Sequence, residues 1–176
     1  MGEADFQVPE FYSFPPFFTL QPVLATREKQ LKLWCDMVLA YHKARKAYAF
    51  AWRDWPLWEN RAINRRLDEA GAQAVVAELV RTGHAEWQDS GKTSLSLFWD
   101  TPADTAARLY EWARSTGLVG SVVTVYELHQ GEDTRETQFH GMEEGVLRKA
   151  IAVLEADGRA VLFQGATSTE DGFKFF

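Results

Sequence analysis

Ala74–Gln88, AVVAELVRTGHAEWQ, aligns without gaps on Lys149–Phe163, KAIAVLEADGRAVLF, with Leu79 on Leu154 and Gly83 on Gly158. A repeat decides the architecture before any single motif does, because each copy is one folding unit. Val75, Val76, Leu79 and Val80 in the first copy, and Leu147, Ala150, Ile151 and Leu154 in the second, recur at helical spacing. The glycine that follows each run stands where a helix C′ residue is expected. The two glycines are 75 residues apart, and a Leu-x-x-Trp pair recurs 78 apart as Leu31/Trp34 and Leu109/Trp112. A three-residue difference in loop length reconciles the offsets.

Working outward, Thr26 is a candidate cap for a first helix with Leu31, Trp34, Val38 and Tyr41 on its apolar face. After the aromatic stretch Tyr48 to Trp58 the pattern predicts a short helix over Asn60–Leu67, then the longer one ending at Gly83. Ala85–Gln88 and Leu95–Trp99 read as strands joined by the turn residues Asp89, Ser90 and Gly91. A new start follows at Thr101-Pro102-Ala103-Asp104, with an N-cap, a proline at N1 and an acid at N3. Thr124-Val125-Tyr126-Glu127 is a capping box for a short helix, and Met142–Asp157 is a longer one. Val161–Gln164 and Phe173–Phe176, around Asp171-Gly172, predict a closing hairpin. Both halves therefore read helix, short helix, longer helix, hairpin, which is the winged-helix plan. The expected fold is α+β: an extended leader over 1–25, a first winged-helix domain over 26–100 and a second over 101–176.

With 46% hydrophobic residues in 176, the chain can bury a real core. The formal charge of −6 and pI of about 5.3 argue against a phosphate backbone as ligand. One cysteine, Cys35, sits in an apolar helical stripe, so no disulfide framework is expected. There is no basic segment ahead of an apolar run at the N-terminus, and no apolar stretch of membrane-spanning length. These features predict a cytoplasmic protein without direct membrane insertion.

Residues 6–22, FQVPEFYSFPPFFTLQP, fit neither domain, because four prolines bar a helix and interrupt a ladder. An extended, polyproline-like segment is expected. Its rings have two readings. They fold back on their own domain, or Pro15-Pro16-Phe17-Phe18 is a docking strip whose rings enter pockets on another protein.

Phe14-Pro15-Pro16-Phe17-Phe18-Thr19-Leu20-Gln21-Pro22, Thr26-Arg27, Trp34-Cys35, Glu86-Trp87, Val123-Thr124-Val125-Tyr126-Glu127-Leu128, Gly131-Glu132-Asp133-Thr134, Phe139-His140-Gly141 and Lys174-Phe175-Phe176 resemble, in order, the small tandem winged-helix subunits of the endosomal sorting complex ESCRT-II. The resemblance spans essentially the whole chain. It implies a non-enzymatic adaptor, present in two copies, that attaches to the two larger ESCRT-II subunits through PPxY-like elements of its leader. The residues it implicates are Pro9, Tyr12, Phe14, Pro15, Pro16, Phe17 and Phe18. It also implies that the second winged helix recruits the initiating subunit of ESCRT-III during sorting of ubiquitinated cargo into multivesicular bodies, on endosomal membranes reached by peripheral recruitment. Pro9-Glu10-Phe11-Tyr12 keeps one proline of the first element, and the second carries Phe18 where Tyr can stand, which leaves the second as the fuller match.

No catalytic, cofactor or metal site is expected. Ser90-Gly91-Lys92-Thr93 would end a phosphate-binding loop only with glycine at position 86, which is Glu86. His42, His84, His129 and His140 lack metal-ligand spacing, and Cys35 beside Trp34 reads as buried rather than nucleophilic. The winged-helix plan raises an alternative, an acidic component of transcription machinery. Both longer helices, Asp68–Arg81 and Met142–Asp157, however carry a net charge of −2, which repels phosphates.

Overall fold

The computed structural model describes residues 6–176, apart from the side chain of Thr169; the first five residues of the expected leader lie outside it. The chain divides into two compact units, one ending at Trp99 and the other spanning Asp100–Phe176. Twelve acidic and twelve basic residues fall in the first, thirteen and seven in the second, so the whole formal charge belongs to the second.

In the first unit, α1 (Leu24–Ala44) packs on α2 (Glu69–Arg81). β1 (Ala49–Phe50) joins a wing in a three-stranded antiparallel sheet of order β1-β5-β4, with β4 at Ala85–Trp87 and β5 at Leu95–Leu97. Asp68 caps α2 by accepting the Gly71 amide at 2.8 Å, and Gly83 takes the left-handed φ of 82° that ends it. Thr26, expected as the α1 cap, lies inside the helix, whose cap is Val23, three residues earlier, with no side-chain bond.

The short helix expected over Asn60–Leu67 is instead a small hairpin, β2 (Glu59–Asn60) on β3 (Arg65–Arg66), across a one-turn 3-10 segment. Asn60 Oδ1 accepts the Ala62 amide at 3.1 Å and Asn64 adopts a left-handed φ of 49°, which turns the chain back. Upstream, Trp52, Trp55 and Trp58 recur every third residue through two 3-10 turns, the spacing at which side chains eclipse. All three rings are buried: Trp55 and Trp58 pack on Trp34 and Phe50, while Trp52 Nε1 donates to Lys92 O at 3.0 Å.

The second unit follows its pattern closely. Thr101 caps α3 (Pro102–Ser115). β6 (Val122–Thr124) leads into α4 (Val125–Gln130), where both bonds of the Thr124/Glu127 capping box form. α5 (Glu144–Ala156) packs on α3, and β7 (Ala160–Phe163) and β8 (Gly172–Phe175) complete a sheet of order β6-β8-β7. Gly172 already belongs to β8, so the wing is closed by a longer loop than the tight Asp171-Gly172 turn expected. The loop is held by Asp171, which accepts the Gly165 amide at 2.8 Å and pairs with Arg148 at 3.0 Å. β1 and β6, third strands that periodicity did not reveal, complete two winged-helix units in tandem.

Candidate partner-docking surface

The leader is a clasp, not an extended strip. Residues Glu10–Ser13 and Pro15–Phe18 form two 3-10 turns, hinged at Phe14. Phe17 stacks on Trp34 with centroids 4.2 Å apart and planes 11° off parallel, and Phe18 meets the same indole edge-on at 5.4 Å. Carbonyls freed by the prolines are taken up by α1. Trp34 Nε1 donates to Phe17 O at 3.1 Å, and Gln30 Nε2 donates to Phe17 O at 2.9 Å and Thr19 O at 2.8 Å. Gln30 Oε1 accepts the Gln21 amide at 3.0 Å, and Arg27 Nε donates to Gln21 O at 2.7 Å.

Tyr12 secures the earlier turn. Its hydroxyl donates to the carbonyls of Leu57 at 3.1 Å and Glu59 at 2.7 Å, while Asn60 Nδ2 donates to Tyr12 O at 2.8 Å. Burial first, and the Glu59 charge second, hold its phenol above the ordinary pKa.

Of the seven residues expected to bind partners, Tyr12, Phe17 and Phe18 are therefore buried in the first unit's own core, the fold-back fate that the sequence left open beside docking. The reason is Trp34, whose flat face accepts Phe17 while its N–H satisfies the same residue's carbonyl. Pro9 is half-buried. Phe14, 60% exposed, stands outward with exposed Pro15 and Pro16. Phe14 and Pro16 line one side of a hollow of about 230 Å³ whose other walls include Phe11, Thr26, Lys29 and Leu33. Gln30 and Asn60, which position this edge, were missed in the sequence because a buried amide reading carbonyls eleven or more residues away leaves no local signal.

The other candidates fall as chemistry dictates. Cys35 is buried, and burial pushes its thiol up to about 12, which leaves it unreactive. His129 and His84 bond to backbone carbonyls, and His140 to the Thr134 hydroxyl. No cluster of metal-ligating side chains occurs among the described residues, and no helix among them is long and apolar enough to cross a membrane. Arg61, Arg65 and Arg66, expected on a short helix, are exposed on the β2–β3 hairpin.

The ESCRT-II complex subunit family profile matches residues 11–143. Vacuolar protein-sorting-associated protein 25 of Danio rerio is 38% identical over 174 residues, 97% of this chain and 99% of that protein. The Arabidopsis thaliana protein of that name is 37% identical, covering 98% and 97%, and the Homo sapiens one 38%, covering 97% and 98%. Among solved structures, the crystal structure of subunit VPS25 of the endosomal trafficking complex ESCRT-II superposes with a TM-score of 0.77 at 24% identity, over 96% of this chain and 98% of that one. The crystal structure of the endosomal complex ESCRT-II (VPS22/VPS25/VPS36) gives 0.72 at 24%, over 95% and 98%. With a tandem winged-helix fold, a clasped proline-aromatic leader and sequence identity of this extent along its whole length, the chain belongs to the ESCRT-II complex subunit family.

Proposed function

We propose that this chain is a non-enzymatic adaptor subunit of ESCRT-II that docks on the two larger subunits through Phe14, Pro15 and Pro16. The observation that carries the reading is their placement: the clasp buries Tyr12, Phe17 and Phe18 and turns these three residues outward on a rigid support. Rigidity lowers the entropy lost on binding, and an exposed ring beside two prolines fits an aromatic-lined pocket. In this reading the leader belongs with the first winged helix, two copies serve one complex, and the protein works from the cytoplasm on endosomal membranes.

The second winged helix is then free to recruit the ESCRT-III initiating subunit. Val122, Lys174 and Val161 stand side by side on the outer face of its sheet, and Phe163 stands on the same face two pairs further along, beside Gly172. Val122, Phe163 and the terminal Phe176 are exposed, and an apolar patch of this kind is a candidate contact surface.

The test is a triple variant, Phe14→Ala, Pro15→Ala and Pro16→Ala, co-expressed with the larger subunits. Unchanged melting with loss of co-purification is expected, since interface rings commonly contribute about 2 kcal/mol or more. Intact assembly by the folded variant overturns the docking role. Val122→Asp with Phe163→Asp is expected to keep that assembly and lose ESCRT-III pull-down, and retained pull-down removes the sheet face from the proposal.

A further inference from the structure

The repeat places Gln73, Val76, Val80 and Trp87 of the first unit on Arg148, Ile151, Glu155 and Leu162 of the second. The two wings are built alike. Phe98 N donates to His84 O and Phe176 N to Arg159 O, both at 2.9 Å, so each wing begins with the same pair in the same register. β4 and β7 are both edge strands. In an antiparallel ladder alternate amides face away from the partner strand. Gln88 N reaches Ser94 O on β5's side at 3.0 Å, which turns the Trp87 amide outward, as the equivalent Leu162 amide is turned outward from β8.

What meets that amide differs. In the second unit, Glu155 of α5 accepts the Leu162 N–H at 2.7 Å, closing the edge, while Arg148 ties the helix to the wing loop through Asp171. In the first unit the residue at the Glu155 position is Val80, still 36% exposed, and the one at the Arg148 position is Gln73. An open groove of about 450 Å³ remains between α2 and β4. Val76, Ala77, Val80, Trp52 and Trp87 supply its apolar lining, and Arg53, Arg81 and Lys92 its charges, with no carboxylate among the lining residues. At the rim Arg53 makes one long contact to Glu69 at 3.5 Å between half-exposed side chains, a pairing of little strength, while Arg81 is held by Glu78 through two bonds of 2.6 and 2.8 Å with its guanidinium still largely exposed. Lys92 Nζ lies 5.7 Å over the Trp87 ring.

We propose that this groove binds an acidic, apolar segment of a partner protein, one of whose carboxylates accepts the Trp87 amide in trans as Glu155 accepts that of Leu162 in cis. The cations complement the segment's charge, and Val76 and Val80 receive an aliphatic neighbour of the carboxylate. None of the groove's lining residues belongs to the leader or to the second unit.

The experiment titrates the ¹⁵N-labelled full chain with a short peptide of alternating Glu and Leu. The Trp87 amide proton is expected to move downfield and saturate, while the same peptide with Lys for Glu moves nothing there. Val80→Glu installs the second unit's own plug, and Lys92→Glu reverses a rim charge. Each is expected to weaken binding about tenfold or more, the effect of a lost charge-assisted bond. Val80 is partly exposed, so the glutamate fits without disturbing the core, and an unchanged melting curve checks this. The proposal is overturned if the Trp87 amide stays fixed at roughly millimolar peptide, if Val80→Glu binds as well as the parent, or if an oligothymidylate shifts the groove residues more strongly than the peptide.

Discussion

The two winged-helix units reach the same plan by different means. The first fills its core with rings gathered from four places: Phe17 and Phe18 of the leader, Trp34 of α1, Phe50 of β1, and Trp52, Trp55 and Trp58 from the stretch of 3-10 turns. The second uses aliphatic helix faces, two phenylalanines of β8, and polar devices at each boundary: the Thr101 cap, the Thr124/Glu127 box, Glu155 at its sheet edge and Arg148 on its wing. Short-range polar closure makes the second unit self-contained. The first depends on a segment that comes before its own repeat begins.

The sharpest way to break this contrast is Phe17→Ala with Phe18→Ala. Large-to-small changes of buried phenylalanine cost about 3–5 kcal/mol each. The first unit is expected to lose its urea transition, or show it at far lower denaturant, while the second keeps its own, followed by tryptophan fluorescence for the first and by amide exchange of α5 for the second. A single coincident shift of both transitions would show that the units do not fold separately.

A smaller effect tests the sheet edges. Glu155→Val gives the second unit the first unit's residue, removes the acceptor from the Leu162 amide, and is expected to destabilise that unit by about 1 kcal/mol. Faster exchange of the Leu162 amide is the local signature. No change in that amide would mean the carboxylate does not close the edge.

The smallest effect is a pH dependence of the first unit. His42 lies among Tyr41, Phe50 and Trp55, with its Nδ1 at 2.7 Å from Val38 O. Burial holds its pKa below the usual value, against a hydrogen bond to Val38 O that pulls the other way. The unfolded chain therefore takes the proton first. Stability from this residue is complete above about pH 6.5, the unfolded value, and declines as pH falls below it. Denaturation midpoints of the first unit should drop between neutral and mildly acidic pH, and His42→Leu should flatten that drop.

How much of this was legible follows from the same contrast. The second unit could be read almost element by element, because caps, C′ glycines and 3.6-residue periodicity are local signals, and α3, α4 and α5 obey them. Asn60–Leu67 was misread because tertiary packing of Trp52, Trp55 and Trp58, together with the left-handed Asn64, overrides local propensity. The candidate docking edge was half legible. The prolines marked the leader, and both fates of its rings were open, but only the geometry at Trp34 separates Phe17 and Phe18 inside from Phe14 outside. Glu155 gave no sign at all, since a carboxylate on a helix reads as solvated until the strand beside it is seen.

The stacking of Phe17 on Trp34 also carries a consequence for cellular quality control. A chain clipped or mis-started beyond Phe18 would not persist as a stable protein lacking only its docking tip. It would expose the face of Trp34 and the neighbouring tryptophans, an apolar surface of the kind that chaperones retain and proteases clear. Copies that lack the buried turn of the leader would thus tend to remove themselves, and the pool of this subunit would be policed by its own N-terminal turn.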